Sequence, residues 1–427
     1  EQNRNQPSTG GAQSLPFYTT SCPDPSVKIT DPNLVVQDSS LSLQPVGAVF
    51  QYPVFDTKLK RITDSMGSGG FSTQIYSQLQ AFSSDNNYIL LTGDKGYSVR
   101  RLTDLSVMPA NNVNFGDVNV VRWQPAKKNT LVFYDTNADS TIRVQYWNAE
   151  TDTLEDYFTF PPAYSNILVN QSFDELSEDG VWTAGMSNQG DGDRMIFALN
   201  LSTKTLGAQI SYNSLFTSGT CAPDPQWGRI EADWVGVSPK GKYLIVQWKR
   251  DGTTRCSGLE SFDISSGQFV GRVSDGHQHG DLGVRSDGTE FFMTFELYHP
   301  SGRASIGVRD LPGTATVSAP KYVQVLNWGS GEHISCRGLA DVCLVTAGVD
   351  LSNGRDAFEG ELFLQYLDGR VKRLTHHRST SCGYLVETRA TISRNGCYVA
   401  FASDWGDNKC GGDGDKARGE AYIVDLK

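Results

Sequence analysis

An all-β fold built from repeated short sheets is predicted by a pattern that recurs seven times along the 427-residue chain. Each copy has a polar run, a tight turn, an apolar β run, a loop and a second β run. The clearest turns are Ser84–Asn87, Ser177–Gly180, Ser238–Gly241, Arg285–Gly288 and Ser393–Gly396, with weaker equivalents near Asn129 and Asp341. Repeats of roughly 40 to 60 residues made of short strands are typical of a β-propeller. We therefore predict a single propeller of seven four-stranded blades, or of eight if the N-terminal segment contributes more than one strand.

The second strand of each repeat is marked by an apolar run that follows the turn. These runs are 88–91, 131–134, 181–184, 243–248, 290–295, 343–346 and 398–401. Third strands follow them, for example at 142–147, 195–199 and 361–366. Continuous apolar runs between turn residues favour strands that are packed on both faces, as the strands of a propeller blade are.

The two ends of the chain each contain an incomplete blade. Residues 1–45 are rich in Gln, Asn, Ser, Pro and Gly and are predicted to form an extended N-terminal arm, which leaves 46–427 for the propeller. The stretch 48–63 resembles outer strands without inner ones, and 420–426 lacks an outer partner. An N-terminal strand is therefore predicted to complete the last blade and close the ring, which leaves no open sheet edge.

The net charge and the composition exclude some classes of binding partner. The net charge of −11 argues against broad binding to nucleic acid or to an anionic membrane. No run of 18 apolar residues exists, so membrane insertion is not expected. The chain starts at Glu1 without a signal-type apolar segment, which is consistent with a processed, secreted, extracellular protein.

The eight cysteines favour disulfides in an oxidising compartment, because metal-binding Cys-x-x-Cys and Cys/His spacings are absent from the sequence. Closeness along the chain predicts the pairs Cys221–Cys256, Cys336–Cys343 and Cys397–Cys410. The remaining pair, Cys22–Cys382, would then tie the arm to the ring.

Candidate functional residues lie just before the innermost strands. In a propeller these strands start beside the central channel, so residues at this level converge although they are far apart in sequence. The fourth to seventh repeats place the following residues there: Glu231, Asp233, His277, His279, Asp281, Glu332, His333, Glu387 and Arg389. Imidazoles, carboxylates and a guanidinium in one pocket support proton abstraction or the binding of a divalent metal. The alternative is that these groups only hydrogen-bond the strand starts and fill a wet channel.

The last three repeats resemble a known group of enzymes. The segments 276–283 (GHQHGDLG), 332–337 (EHISCR), 373–379 (RLTHHRS), 390–396 (ATISRNG) and 402–406 (ASDWG) are similar to those of secreted propellers of the oligogalacturonate lyase and propeller-fold ulvan lyase group. The resemblance covers about residues 270–410. It implies abstraction of the proton α to a uronate carboxylate by a His or Tyr, with an Arg or a metal as carboxylate neutraliser.

This resemblance assigns roles to particular residues. His279 or His333 is expected to be the base and Arg389 the neutraliser. Related propellers tend to have a His just before the final blade, where this chain has Arg389, so a His-rich metal cluster is not expected. The predicted substrate-binding residues are Glu231, Trp234, His277 and Arg378, with Trp234 placed to stack on a sugar ring.

A second group of candidate residues forms a possible calcium-binding loop. Asp135, Asn137 and Asp139 supply oxygen ligands at alternate positions, as calcium loops do, although no Glu closes the loop and a solvated turn is the alternative. No cofactor is required for elimination, so calcium or another divalent metal is an additional expectation.

Two functions remain open from the sequence. The first is a secreted polysaccharide lyase that cleaves an acidic, uronate-containing glycan by β-elimination. The second is a non-catalytic extracellular propeller that binds glycan or protein, or a surface-assembly subunit that self-assembles through its N-terminal arm. A fold alone does not choose between them.

Overall fold

A computed structural model of the chain describes residues 22, 31–111, 113, 115, 121–135, 141–172, 174–297, 299–327, 331–349, 354–380, 387–407 and 418–426. The described residues are almost entirely strands and turns. The exceptions are one short helix, α1 (Tyr212–Thr217), and two 3-10 turns at Met66–Ser68 and Val169–Gln171. None of the helices described is long and apolar enough to cross a membrane.

The first strands of the chain belong to two different blades. They are β1 (Val49–Tyr52), β2 (Thr57–Arg61), β3 (Phe71–Thr73), β4 (Tyr88–Gly93) and β5 (Gly96–Arg101). Strands β3, β4 and β5 pair antiparallel as the first blade, and β5 continues into a bridge between Arg100 and Val107. Strands β1 and β2 pair with each other and join the far end of the chain.

The middle of the chain forms five four-stranded antiparallel sheets. Blade 2 contains β6 (Arg122–Trp123), β7 (Thr130–Asp135), β8 (Arg143–Asn148) and β9 (Thr153–Thr159). Blade 3 contains β10 (Tyr164–Ile167), β11 (Trp182–Gln189), β12 (Arg194–Asn200) and β13 (Thr205–Ser211), and blade 4 contains β14 (Ala232–Val237), β15 (Tyr243–Trp248), β16 (Leu259–Asp263) and β17 (Phe269–Ser274). Blade 5 contains β18 (Gly280–Val284), β19 (Glu290–Glu296), β20 (Ser305–Asp310) and β21 (Lys321–Val325), and blade 6 contains β22 (Gly331–Ser335), β23 (Val342–Ala347), β24 (Glu361–Tyr366) and β25 (Val371–His376).

The last blade is completed from the N-terminal side, as predicted. Strands β26 (Thr391–Ile392), β27 (Tyr398–Ser403) and β28 (Gly419–Asp425) pair in sequence, and β2 then adds antiparallel to β28 with Lys58 opposite Asp425. Strand β1 follows as a fifth strand. A short parallel contact between β28 and β3 joins this blade to the first one in a single eight-stranded sheet. Divided at that contact, the described strands group into seven blades, and the propeller fold is confirmed.

The turn before each second strand uses a left-handed residue. The seven residues are Asn86, Asn129, Gly180, Gly241, Gly288, Asp341 and Gly396, with φ between 54° and 82°. Glycine, asparagine and aspartate tolerate this conformation best, which is why these residue types recur there. The first turn begins at Ser83, one residue before the predicted start, because Ser83 Oγ donates to Asp85 and accepts the N–H of Tyr88.

The core lies between neighbouring blades. Met186 and Ile196 of blade 3, for example, are fully buried in one cluster with Val235, Leu244 and Trp248 of blade 4. Each blade thus buries both of its faces, which explains the continuous apolar runs in the sequence.

Residues 74–80, which we call the central segment, run between β3 and β4. Its three glutamine side chains donate hydrogen bonds to backbone carbonyls of three other blades: Gln74 to Arg389 (2.9 Å), Gln78 to Gly280 (3.0 Å) and Gln80 to Arg337 (3.0 Å). Since the innermost strands surround the axis of a propeller, a segment bonded to those of blades 5, 6 and 7 lies at the centre of the ring.

A central ionic network joins Asp174 and Glu175, which precede β11 of blade 3, to Asp281, Arg337 and Arg394 of blades 5, 6 and 7, and every member is less than one tenth exposed. Arg337 approaches Asp174 at 3.2 Å and Asp281 at 3.6 Å, and Arg394 approaches Glu175 at 3.1 Å. Burial raises the pKa of Asp281 to about 8 and that of Asp174 to about 6, although Arg337 acts in the opposite direction on both. The two carboxyls and Glu175 in turn raise the Arg337 pKa against the effect of burial.

Two of the predicted disulfides, Cys221–Cys256 and Cys336–Cys343, are confirmed. The predictions for Cys397 and Cys22 are wrong, because these two residues pair with each other across 375 residues of sequence. Spacing misled here because the fold brings the arm to the turn of the last blade, where the Cys22 N–H also donates to the Asn395 carbonyl. The other two cysteines, Cys382 and Cys410, lie outside the described residues.

The described part of the N-terminal arm, residues 31–45, has no regular secondary structure and packs onto the ring. Arg373 donates to the Leu34 carbonyl at 2.5 Å, and Trp405 Nε1 donates to the Leu41 carbonyl at 3.0 Å. Val36 is 7% exposed and belongs to the core of the last two blades. This part of the arm is therefore a component of the propeller surface, and self-assembly through the arm stays a prediction.

Candidate functional site

Three predicted catalytic residues come together at the inner strands of blades 5, 6 and 7. His279 directly precedes β18, His333 lies within β22, and Arg389 precedes β26 by two residues. The imidazoles of His279 and His333 stack with 4.7 Å between their centroids and 21° between their planes. The Nδ1 of His279 lies 2.6 Å from the Glu332 carbonyl oxygen. Because a carbonyl only accepts, Nδ1 carries a proton in this contact, and Nε2 is the nitrogen that it leaves unengaged.

Tyr76 of the central segment completes this group and was missed by sequence reasoning. Its ring meets the His333 ring edge-on at 5.1 Å between centroids, and the Arg389 guanidinium lies 5.5 Å from its centroid. We call His279, His333, Tyr76 and Arg389 the mouth cluster. The available signal was the polar, glutamine-rich stretch 74–80, which interrupts the first repeat between two strands.

His333 is the most unusual member of the mouth cluster. It is 1% exposed, and neither of its ring nitrogens has a hydrogen-bond partner among the described residues. Burial, followed by the nearby His279 and Arg389, holds the pKa of His333 well below its ordinary value of 6.5. The imidazole is therefore neutral at physiological pH, and it is a weak base.

Two predicted substrate-binding residues lie outside the mouth cluster, at the start of blade 4 and the entrance to blade 5. Glu231 forms an ion pair with Arg194 at 2.5 Å, and His277 Nε2 lies 3.2 Å from Asp233. Both side chains are about two fifths exposed. The predicted convergence of Glu231 with the other three residues is thus not seen, because its carboxylate is directed to blade 3.

The other two predicted substrate-binding residues require correction. Trp234 is 6% exposed and packs in a core cluster with Ile245, Leu259 and Phe292, so it offers no face to a sugar. The sequence showed that Trp234 is close to the start of a strand, but not that its side chain points between two blades.

Arg378 contacts the N-terminal arm. It pairs with Asp38 at 2.7 Å and donates to the Leu41 carbonyl at 2.8 Å. Its guanidinium also lies over the Trp405 ring, at 5.0 Å from the centroid. The side chain is 9% exposed, so these contacts within the protein account for it.

The predicted calcium loop is described only at its first residue. Asp135 is 6% exposed at the end of β7, and Arg143 lies 3.8 Å from its carboxylate. A guanidinium at that distance opposes the approach of a cation. Asn137 and Asp139 lie outside the described residues.

Two solved structures are similar to the chain in fold. One is an oligogalacturonate lyase in complex with manganese, which is 10% identical with a TM-score of 0.59. The other is an oligogalacturonate lyase from Vibrio parahaemolyticus, which is 9% identical with a TM-score of 0.60. Each match covers 89% of this chain and 96% of the other. No family model and no curated protein sequence matches the chain. The resemblance to the oligogalacturonate lyase group is thus confirmed at the level of the fold.

The mouth cluster does not fit a divalent metal such as the manganese of the first of these structures. Imidazole lone pairs lie in the ring plane, and two rings stacked face to face direct them side by side instead of toward one point. The Nδ1 of His279 is also already engaged by the Glu332 carbonyl. In the part of the chain that the structure describes, no three His, Cys, Asp or Glu side chains are grouped to hold a metal ion.

Proposed function

We propose that the protein binds a uronate-containing glycan at the mouth cluster and cleaves it by β-elimination. The observation that supports this most directly is the convergence of two imidazoles, a phenol and a guanidinium from four separate parts of the chain. These are the groups that proton abstraction next to a carboxylate requires. The likeness in fold to two oligogalacturonate lyases supports the same class of substrate.

The reaction removes the proton α to the uronate carboxylate and expels the sugar oxygen in the β position. The C–H electron pair becomes the new C=C bond, and the C–O electron pair leaves with the oxygen, which takes up a proton. Arg389 would neutralise the carboxylate, because a bound guanidinium makes the α proton more acidic. The overall reaction consumes no oxidant, reductant or cofactor.

Of the two histidines proposed as the base, His279 is better suited than His333. His279 is exposed, and its Nδ1–H contact with the Glu332 carbonyl leaves Nε2 free to take a proton. His333 has a pKa well below 6.5 because it is buried, which makes it a poor base at neutral pH. We assign His333 to holding the His279 ring by stacking, and Tyr76 to protonating the leaving oxygen.

The observation that favours a non-catalytic function is the burial of Arg389, which is 3% exposed. A substrate carboxylate would reach the buried guanidinium only if the side chains around it move aside. If that movement does not occur, the propeller binds a glycan or protein at its surface without cleaving it. Secretion is part of either proposal, since the three disulfides favour an oxidising compartment.

Elimination is tested by following the ultraviolet absorbance of unsaturated uronate products on a panel of uronate polymers. His279→Ala and Arg389→Ala should each lower kcat/KM by about 100-fold or more, because each removes a group that acts in the transition state. His299→Ala and Arg370→Ala are the controls, since His299 is half-buried in contact with Ser301 and Arg370 is exposed in an ion pair with Asp368, both outside the mouth cluster. Binding of the polymers without any unsaturated product would favour the non-catalytic function.

A further inference from the structure

Trp227 is the most exposed large hydrophobic side chain in the described structure, at 72%. It lies on a tight turn in the loop that leads from α1 to β14. The Asp224 carboxylate accepts the N–H groups of Gln226 (2.8 Å) and Trp227 (3.0 Å), and the backbones of Asp224 and Gly228 pair with each other. The indole is therefore displayed on a turn whose conformation is fixed by hydrogen bonds.

This turn is also fastened to blade 4. The disulfide between Cys221 and Cys256 links its loop to the loop after β15. Arg250 of the same region donates to the Ala222 carbonyl at 3.1 Å and to the Cys256 carbonyl at 3.0 Å. A rigid aromatic side chain loses little conformational entropy when it contacts a ligand, which makes such a position favourable for binding.

Two guanidinium groups, those of Arg229 and Arg250, lie in the loops that hold the Trp227 turn, and their hydrogen-bond partners are neutral, although Arg250 also interacts electrostatically with the Asp224 carboxylate. Arg229 donates to the side-chain oxygen of Asn213 at 2.8 Å and lies over the Phe216 ring, while Arg250 donates to backbone carbonyls. Among the described residues, no carboxylate lies within ion-pair distance of either guanidinium. In a chain with a net charge of −11, this local positive charge is complementary to an anionic ligand.

The Trp227 turn opens on the same face of the ring as His279. Both loops join the outer strand of one blade to the inner strand of the next, and such loops share one face of a propeller. Blade 4 connects the two loops: Asp251 accepts the His277 N–H at 2.6 Å and the Gln247 side chain donates to the Gln278 carbonyl at 3.2 Å, while the Cys221–Cys256 disulfide joins the loop after β15 to the Trp227 loop. A glycan chain that extends from the mouth cluster across blade 4 would therefore reach the indole.

We propose that Trp227, Arg229 and Arg250 form a second uronate-binding subsite, separate from the mouth cluster. The indole face would stack on the C–H face of a sugar ring, and the guanidiniums would bind its carboxylate. The class of ligand rests on the function proposed above. The subsite adds affinity only for chains long enough to span both places, as linked binding sites do.

Titration calorimetry with galacturonate oligomers tests this subsite. A His279→Ala background removes the proposed base and so keeps the oligomers intact. Adding Trp227→Ala should lower the ratio of hexamer affinity to dimer affinity about tenfold, or about 1.4 kcal/mol. Adding Arg229→Gln should lower the affinity for the galacturonate hexamer by a similar factor and leave that for a neutral galactose hexamer as it was. Val49→Ala is the matched control, because Val49 is 65% exposed on β1 of the last blade.

The outcomes separate the subsite from the enzymatic proposal. An affinity ratio that Trp227→Ala does not change overturns the subsite, even if the wild type forms unsaturated product. A ratio that falls in the variant supports the subsite, even if the wild type forms no product and elimination fails. If neither oligomer binds, both proposals are wrong.

Discussion

Two buried polar clusters near the axis of the ring, the central ionic network and the mouth cluster, differ in how far their polar groups are paired within the protein. In the central ionic network, the Arg337 side chain meets two carboxylates and the backbone carbonyls of Leu176 and Val237. In the mouth cluster, His333 is as deeply buried, yet both of its ring nitrogens lack hydrogen bonds within the described residues. In the network, each guanidinium keeps an ion pair with a buried carboxylate although some nitrogens of Arg337 and Arg394 lack a hydrogen bond, whereas the His333 ring has neither an ion pair nor a hydrogen bond among the described residues.

This difference separates a structural role from a functional one. Buried charges that are paired fix the positions of the strands that carry them, and Asp281 of blade 5 does so by also accepting the Cys336 N–H of blade 6 at 2.6 Å. An unsatisfied buried group costs stability, and natural proteins retain such groups mainly at sites of function. The comparison therefore predicts opposite effects of substitution in the two clusters.

The largest effect is expected for Arg337→Leu. It leaves Asp174 and Asp281 buried without their cation, so the free energy of unfolding should fall by about 3 to 5 kcal/mol. Denaturant unfolding monitored by tryptophan fluorescence measures this change. Arg370→Leu is the control: its ion pair with Asp368 is exposed and should contribute less than about 1 kcal/mol. Equal effects of the two substitutions would remove the distinction that we draw.

A smaller effect of opposite sign is expected for His333→Phe. The ring stack with His279 is kept while two unsatisfied nitrogens are removed, so stability should rise by about 1 kcal/mol. His377→Phe is the matched control, since this buried imidazole bonds to the Ala347 carbonyl and accepts the Ser379 N–H. The His377→Phe variant should be less stable than the wild type, because it loses both of these hydrogen bonds. Loss of stability in His333→Phe as large as in His377→Phe would show that His333 is ordinary core packing.

A third expected effect is a difference in the pH dependence of stability. Below its ordinary pKa of 6.5, His333 takes up a proton when the protein is unfolded but not when it is folded beside His279 and Arg389. The free energy of unfolding should therefore fall as the pH falls below 6.5, by at most about 1.4 kcal/mol per pH unit for this group. His377, whose pKa burial lowers to about 4, adds a similar slope. His333→Phe should remove one of the two contributions, and an unchanged slope would contradict the assigned pKa shift.

Much of the fold was predicted because its determinants are local. Left-handed turn residues such as Asn129 and Asp341 mark each repeat. The incomplete blades at 48–63 and 420–426 predicted the ring closure that the pairing of β2 with β28 shows. The level of His279, His333 and Arg389 along the channel also followed from their position before the inner strands. Regular repetition thus made three of the four members of the mouth cluster visible in the sequence.

What the sequence by itself determined is therefore the repeating architecture and the level at which polar residues gather, because both depend on turns and alternation within each repeat. The tertiary structure alone decided which side chains meet. Tyr76 joins the mouth cluster because the central segment crosses the ring, and Trp234 is buried while Trp227 is exposed because their directions depend on the packing of neighbouring blades. Cys22 pairs with Cys397 for the same reason, since contacts between distant segments are set by the closed ring and carry no local signal.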